Sequence, residues 1–124
     1  MISLQNVSKI YKTGKVEYYA LDKIDLEILQ GEFVVILGPS GAGKSTLLNL
    51  LGGMDRPTRG KIIINQTDIS NFTDKQLTKF RAEQVGFVFQ SYNILPTLTV
   101  EENVAIMQDI VKAQVKWPMN CWSI

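Results

Sequence analysis

Histidine is absent from the 124-residue sequence, and cysteine occurs once. Without an imidazole, no step of any chemistry here can rest on a histidine. The lone Cys121 excludes an intrachain disulfide and fits a reducing compartment. Long apolar runs are also lacking. No stretch approaches the ~18 residues of a membrane span, and the opening Met1-Ile2-Ser3-Leu4-Gln5-Asn6 has no signal-peptide core. The expected location is the cytoplasm, with any membrane association made through a partner. Charge of one sign is scarce as well: 13 basic against 12 acidic residues leave a net charge of +1. The basic residues are scattered, so nucleic-acid binding has no electrostatic support. Repeats, low-complexity tracts and linkers do not occur. What remains, 45% hydrophobic and 20% charged residues, is the composition of a globular domain with a real core.

The most informative segment that is present is Gly38-Pro39-Ser40-Gly41-Ala42-Gly43-Lys44-Ser45-Thr46, a complete phosphate-binding loop of the form G-x-x-x-x-G-K-S. It follows the apolar run Phe33-Val34-Val35-Ile36-Leu37, read as a buried strand, and precedes Leu47-Leu48-Asn49-Leu50-Leu51, read as a helix ending at Gly52-Gly53. Gly38, Gly41 and Gly43 allow the backbone close to a phosphate, and successive N–H groups form an anion nest at the positive helix end. Lys44 supplies a mobile charge for β- and γ-phosphates, and the Ser45 hydroxyl is placed for Mg²⁺. The expected ligand is a nucleoside triphosphate.

Around this loop the pattern alternates. Residues 2–12 read as a strand that bends, Thr13-Gly14-Lys15 as a turn, and 18–29 as a strand in which Ile24, Leu26 and Ile28 alternate. Asp55 to Gly60 carries turn chemistry, Ile62-Ile63-Ile64 a strand, 74–84 a helix and Val85-Gly86-Phe87-Val88-Phe89 a strand. A loop from Ser91 to Leu98 leads to a helix whose start, Thr99 with Glu102, is a capping box. Val104, Met107, Ile110 and Val111 are its expected buried stripe. The order of elements indicates an α/β architecture with a largely parallel central sheet.

The segments "GPSGAGKSTLLNLLGGMDRPTRGKIIINQTDI" and "RAEQVGFVFQSYNILPTLTVEENV" resemble the ATP-binding subunit of an ABC transporter. They are nearest the branch serving lipoprotein release, macrolide and peptide export, and cell division. The resemblance implies the N-terminal part of an ABC-type P-loop NTPase domain, a β-rich subdomain plus an incomplete parallel-sheet core. It implies ATP and Mg²⁺ as ligands. It further implies that Gln90 reaches Mg²⁺ and the attacking water and couples the site to a transmembrane permease subunit, and that Tyr11 stacks on adenine, with Val16 as a further adenine neighbour. The permease would hold the protein to the cytoplasmic face of the inner membrane, and a second ATP-binding subunit would complete a dimer.

The family also uses an Asp-Glu pair after an apolar strand, a switch histidine and a Leu-Ser-Gly-Gly-Gln signature, and none occurs in these 124 residues. The resemblance is expected to cover 1–111, leaving 112–124 as an atypical tail of the kind a frameshift or early stop leaves; an ordinary divergent C-terminus is the alternative. A chain of this extent is expected to be marginally stable, with apolar strand faces open to water. Two readings therefore stand: an ATPase subunit powering export, and a nucleotide-binding fragment without turnover or transport. A GTPase is disfavoured because no Asn-Lys-x-Asp occurs.

Overall fold

The computed structural model describes residues 1–89 and 94–111. The chain divides into two compact units, Met1–Phe87 and Val88–Ile124. The first contains β1 (Ile2–Thr13), β2 (Val16–Ile28), α1 (Lys44–Leu51), β3 (Arg59–Ile64), β4 (Thr67–Asp68) and α2 (Asp74–Gln84); the second contains α3 (Val100–Val111).

β1 and β2 form a long antiparallel hairpin at the expected place, but its turn is Gly14-Lys15 alone: Thr13, expected in the turn, ends β1 opposite Val16. β3 pairs with the other edge of β1, and β4 with β3, so the sheet order is β2-β1-β3-β4. The apolar positions of β1 are out of step with a simple period of two, because Leu4 and Val7 are both buried. A register shift between them resolves the conflict: Asn6 takes a left-handed conformation (φ 51°), and the extra residue brings both side chains to one face. β2 repeats the device, with Lys23 at φ 50° between Leu21 and Ile24. The Lys23 N–H donates to the buried Ser8 hydroxyl at 2.9 Å, stitching the two irregularities together. Beyond this point Ile24, Leu26 and Ile28 alternate half-buried with exposed neighbours, as expected. The bend expected in residues 2–12 is thus a set of bulges.

The core gathers Leu4, Val7, Leu21, Ile62, Ile64 and Ile69 from the sheet region with Leu50 of α1 and Phe80 of α2. β4 was not foreseen. It follows a two-residue turn at Asn65-Gln66, both at positive φ, the mirror-image turn that suits a twisted hairpin. α2 matches the expected 74–84 and opens on a capping box: the Thr73 hydroxyl accepts from the Gln76 N–H, and the Gln76 side chain accepts from the Thr73 N–H.

The expected strands at 33–37 and 85–89 are a correction. Neither belongs to the four-stranded sheet, which is wholly antiparallel. Phe33 and Leu37 are 93% and 86% exposed, and Val88 is fully exposed. An apolar run becomes a buried strand only where neighbouring strands take up its backbone groups and a second layer covers its side chains. These apolar side chains are open to water, but not as faces of the strands expected.

In the second unit α3 begins as expected, with the Glu102 carboxylate accepting from the Thr99 N–H (2.8 Å) and hydroxyl (2.9 Å), which holds its carboxyl below the usual range. Asn103 was not foreseen: its amide oxygen accepts from the Leu95 N–H, and its NH₂ group donates to the carbonyls of Leu95, Leu98 and Thr99. It binds the preceding turn to the helix. Val104 is 40% exposed rather than buried. The side chains of Met107, Ile110 and Val111, and residues 112–124, lie outside the described residues. Among the described residues no helix is long and apolar enough to cross a membrane.

Candidate functional site

α1 starts at Lys44, and its first intrahelical bond runs from the Leu47 N–H to the Gly43 carbonyl at 2.9 Å. The N–H groups of Lys44, Ser45 and Thr46 therefore have no acceptor within the helix. Among the described residues no side chain caps this end, and no acid occupies the first turn. The helix start thus presents free donors and the positive end of its dipole, uncompensated by any local carboxylate. Gly43, at φ 82°, turns the chain into the helix while lying against β2; a Cβ there would stand 2.4 Å from the Ala20 carbonyl oxygen.

The Lys44 ammonium folds back over the loop and donates to the carbonyls of Gly38 (2.8 Å) and Pro39 (2.6 Å). An ammonium has three donors, so these contacts leave it one more. The Ala42 N–H donates to the Pro39 carbonyl at 3.3 Å, closing the loop on itself.

This loop and the tip of the hairpin share a cavity of about 280 Å³, lined by Tyr11, Tyr18, Ala20, Ser40, Gly41, Gly43, Lys44, Ser45 and Thr46. The structure thus brings Tyr11, from β1, together with most of the loop read from the sequence. Gly38, Pro39 and Ala42 shape the loop without lining the cavity. Val16 is 68% exposed and is not among the lining residues. Gln90 lies outside the described residues.

Tyr18 and Ala20 also line the cavity and were not among the expected site residues. Tyr18 donates its hydroxyl to the Gly41 carbonyl at 3.3 Å, tying the hairpin to the loop. The observed turn is only Gly14-Lys15, one residue shorter than expected, so 13 pairs with 16, 12 with 17 and 11 with 18, and this register makes Tyr11 and Tyr18 direct partners. Two aromatic side chains opposite each other on an antiparallel pair share one face.

Behind Tyr11 lies a polar network that the sequence did not announce. The Tyr11 hydroxyl donates to Asp55 Oδ2 at 3.2 Å, and Lys9 Nζ donates to Asp55 Oδ1 at 2.7 Å and to the Arg56 carbonyl at 2.9 Å. The same ammonium stands 5.1 Å from the Tyr11 ring centroid. Burial pushes the Asp55 carboxyl up, but the Lys9 ammonium, the Arg56 N–H and the Tyr11 hydroxyl together outweigh it and hold it below the usual range.

Comparison with known proteins identifies the family. The chain is 49% identical over 106 residues to the ABC transporter ATP-binding protein MJ0796 of Methanocaldococcus jannaschii, covering 86% of this chain and 45% of that protein. It is 48% identical over 106 residues to the ABC transporter ATP-binding protein YknY of Bacillus subtilis, covering 86% and 46%. The solved dimeric structure of the MJ0796 cassette in a post-hydrolysis state, bound to ADP and Pi, superposes with a TM-score of 0.84 at 46% identity, over 90% of this chain and 48% of that one. The chain therefore spans about half the length of the relatives it matches. The family model described as ABC transporter matches residues 21–122, and by that extent of match, with a phosphate loop built as described, this chain belongs to the ABC transporter ATP-binding family.

Proposed function

We propose that this chain docks ATP with Mg²⁺ in the cavity between the hairpin tip and the phosphate loop, as the nucleotide-gripping part of an ABC transporter ATP-binding subunit. The observation that carries the reading is that a single cavity joins an aromatic ring, Tyr11, to an uncapped helix start and a lysine ammonium. Those are the complements of a base at one end and a polyphosphate at the other. The amides from Gly41 to Thr46 cradle the phosphates, and the third donor of Lys44 turns to the β/γ-oxygens. Tyr11 offers its face to the adenine. Ser45 lines the cavity, and its hydroxyl is a hard oxygen ligand of the kind Mg²⁺ takes, with phosphate oxygens supplying further positions. When bound, Mg²⁺ would neutralise the negative charge that develops on the phosphate oxygens. Gln90 is proposed as a second metal and water contact.

In the same reading the chain acts at the cytoplasmic face of the inner membrane, held by a transmembrane permease subunit, and pairs with a second ATP-binding subunit so that ATP binding and hydrolysis drive export. The dimeric ADP-bound form of MJ0796 supports the pairing. A second reading, for these 124 residues by themselves, is nucleotide binding without turnover.

Titration of the purified chain with ATP and Mg²⁺ tests the first claim. Saturable binding abolished by Lys44→Ala supports it, and binding indifferent to that change refutes it. Mg²⁺-dependent phosphate release, also lost in Lys44→Ala, selects the ATPase; binding without release selects the fragment.

A further inference from the structure

We infer that Asp55 is a positioning residue for the nucleotide site, fixing the Tyr11 ring at the cavity wall through the Tyr11 hydroxyl; the inference rests on the ATP-docking reading above. Asp55 itself lines a different cavity, of about 350 Å³, shared with Arg56, Asp74 and Arg81, so its route to the nucleotide runs through Tyr11. Tyr11 is 41% exposed near the tip of a hairpin, a place where a ring unheld on its outer edge samples several rotamers. A base stacks well on one orientation only, so each alternative orientation lowers the apparent affinity.

Two contacts on the ring, and the bonds that hold their partners in place, remove that freedom. The hydroxyl donates to Asp55 Oδ2 at 3.2 Å. Lys9, whose side chain is only 13% exposed, holds the other carboxylate oxygen at 2.7 Å and sits 5.1 Å from the ring centroid, within the range of a cation–π contact. The loop carrying Asp55 is in turn fastened to β1: the Thr58 N–H donates to the Ser8 carbonyl at 2.8 Å, and the Ile10 N–H donates to the Thr58 hydroxyl at 3.0 Å. Asp55 is therefore an anchored post, 44 residues from the ring it holds. Tyrosine at position 11 supplies both a stacking face and the hydroxyl by which that face is set.

The test uses the full chain with two probes, Mg-ATP and inorganic tripolyphosphate, the second lacking a base. Tyr11→Phe keeps the face and loses the tether; Asp55→Ala removes the post. Each is expected to weaken ATP about fivefold, the worth of one net hydrogen bond, and to leave tripolyphosphate unchanged. In the Tyr11→Phe background, Asp55→Ala is expected to add little. A loss of tripolyphosphate equal to the loss of ATP would reduce Asp55 to a structural role and overturn the inference. So would an undiminished effect of Asp55→Ala beside Tyr11→Phe. Should Asp55→Ala fail to fold, Tyr11→Phe alone decides, and unchanged ATP affinity overturns the inference. ATP binding lost in Lys44→Ala but untouched by Tyr11→Phe defeats the positioning role alone. A wild-type chain that takes up no ATP defeats the docking reading and this inference with it.

Discussion

Gly41 and Gly43 form a matched pair that separates two physical terms at the phosphate loop. Both are left-handed, at φ 80° and 82°, so an added Cβ meets the same local strain in each. Their surroundings differ. At Gly41 nothing lies within 4 Å of the new atom, whereas at Gly43 it would stand 2.4 Å from the Ala20 carbonyl oxygen and 3.0 Å from Leu21 Cδ2. An ordinary contact starts near 3.4 Å, so the loop must retreat by about 1 Å from β2. The obstacle is backbone of the hairpin, and Leu21 belongs to the core, so neither yields as a flexible side chain would. Gly41→Ala should cost only the left-handed conformation, about 1–2 kcal/mol. Gly43→Ala should cost that plus an overpacking penalty of about 1–3 kcal/mol, some 2–5 kcal/mol in all. Urea denaturation followed by circular dichroism, without nucleotide so that ligand contacts play no part, measures both. Equal losses in the two variants, or a larger one for Gly41→Ala, would refute the claim that the loop is seated on the strand.

Other outcomes follow from the core, the helix starts and the ion pairs. Leu50 is fully buried between α1 and the sheet, so Leu50→Ala should cost about 3–4 kcal/mol by cavity formation, read as a lowered urea midpoint at unchanged slope. Thr73→Ala removes the hydroxyl of the α2 capping box and should cost about 1 kcal/mol, while Thr73→Ser should restore most of it. Asp55 has a folded value below its unfolded one, so its contribution to stability is fully present above about pH 4–5 and fades as pH falls through the folded value. Urea midpoints between pH 6 and pH 3 should therefore fall more steeply for the wild type than for Asp55→Asn; parallel curves would show that Asp55 is not held low.

What the sequence determined by itself is everything carried by short-range chemistry. The phosphate loop, its helix ending at Gly52, the turn at Gly14-Lys15, the 74–84 helix and the Thr99–Glu102 box depend on residues a few positions apart, whose backbone preferences and local hydrogen bonds are the same in any context. The pairing of Tyr11 with Tyr18 depends on the exact length of that turn, which only the strand register fixes. The tertiary structure decided whatever needs a distant partner. The run Phe33–Leu37 has the composition of a buried strand, yet burial is a property of its neighbours, and here it stays outside the sheet. The odd spacing of Leu4 and Val7 becomes sensible only once a bulge is seen. Asp55, in a segment read simply as a turn, reaches Lys9 and Tyr11 because folding lays that turn against β1. Such contacts are set by the closing of long loops of chain, and the pattern along the sequence carries no direct trace of them.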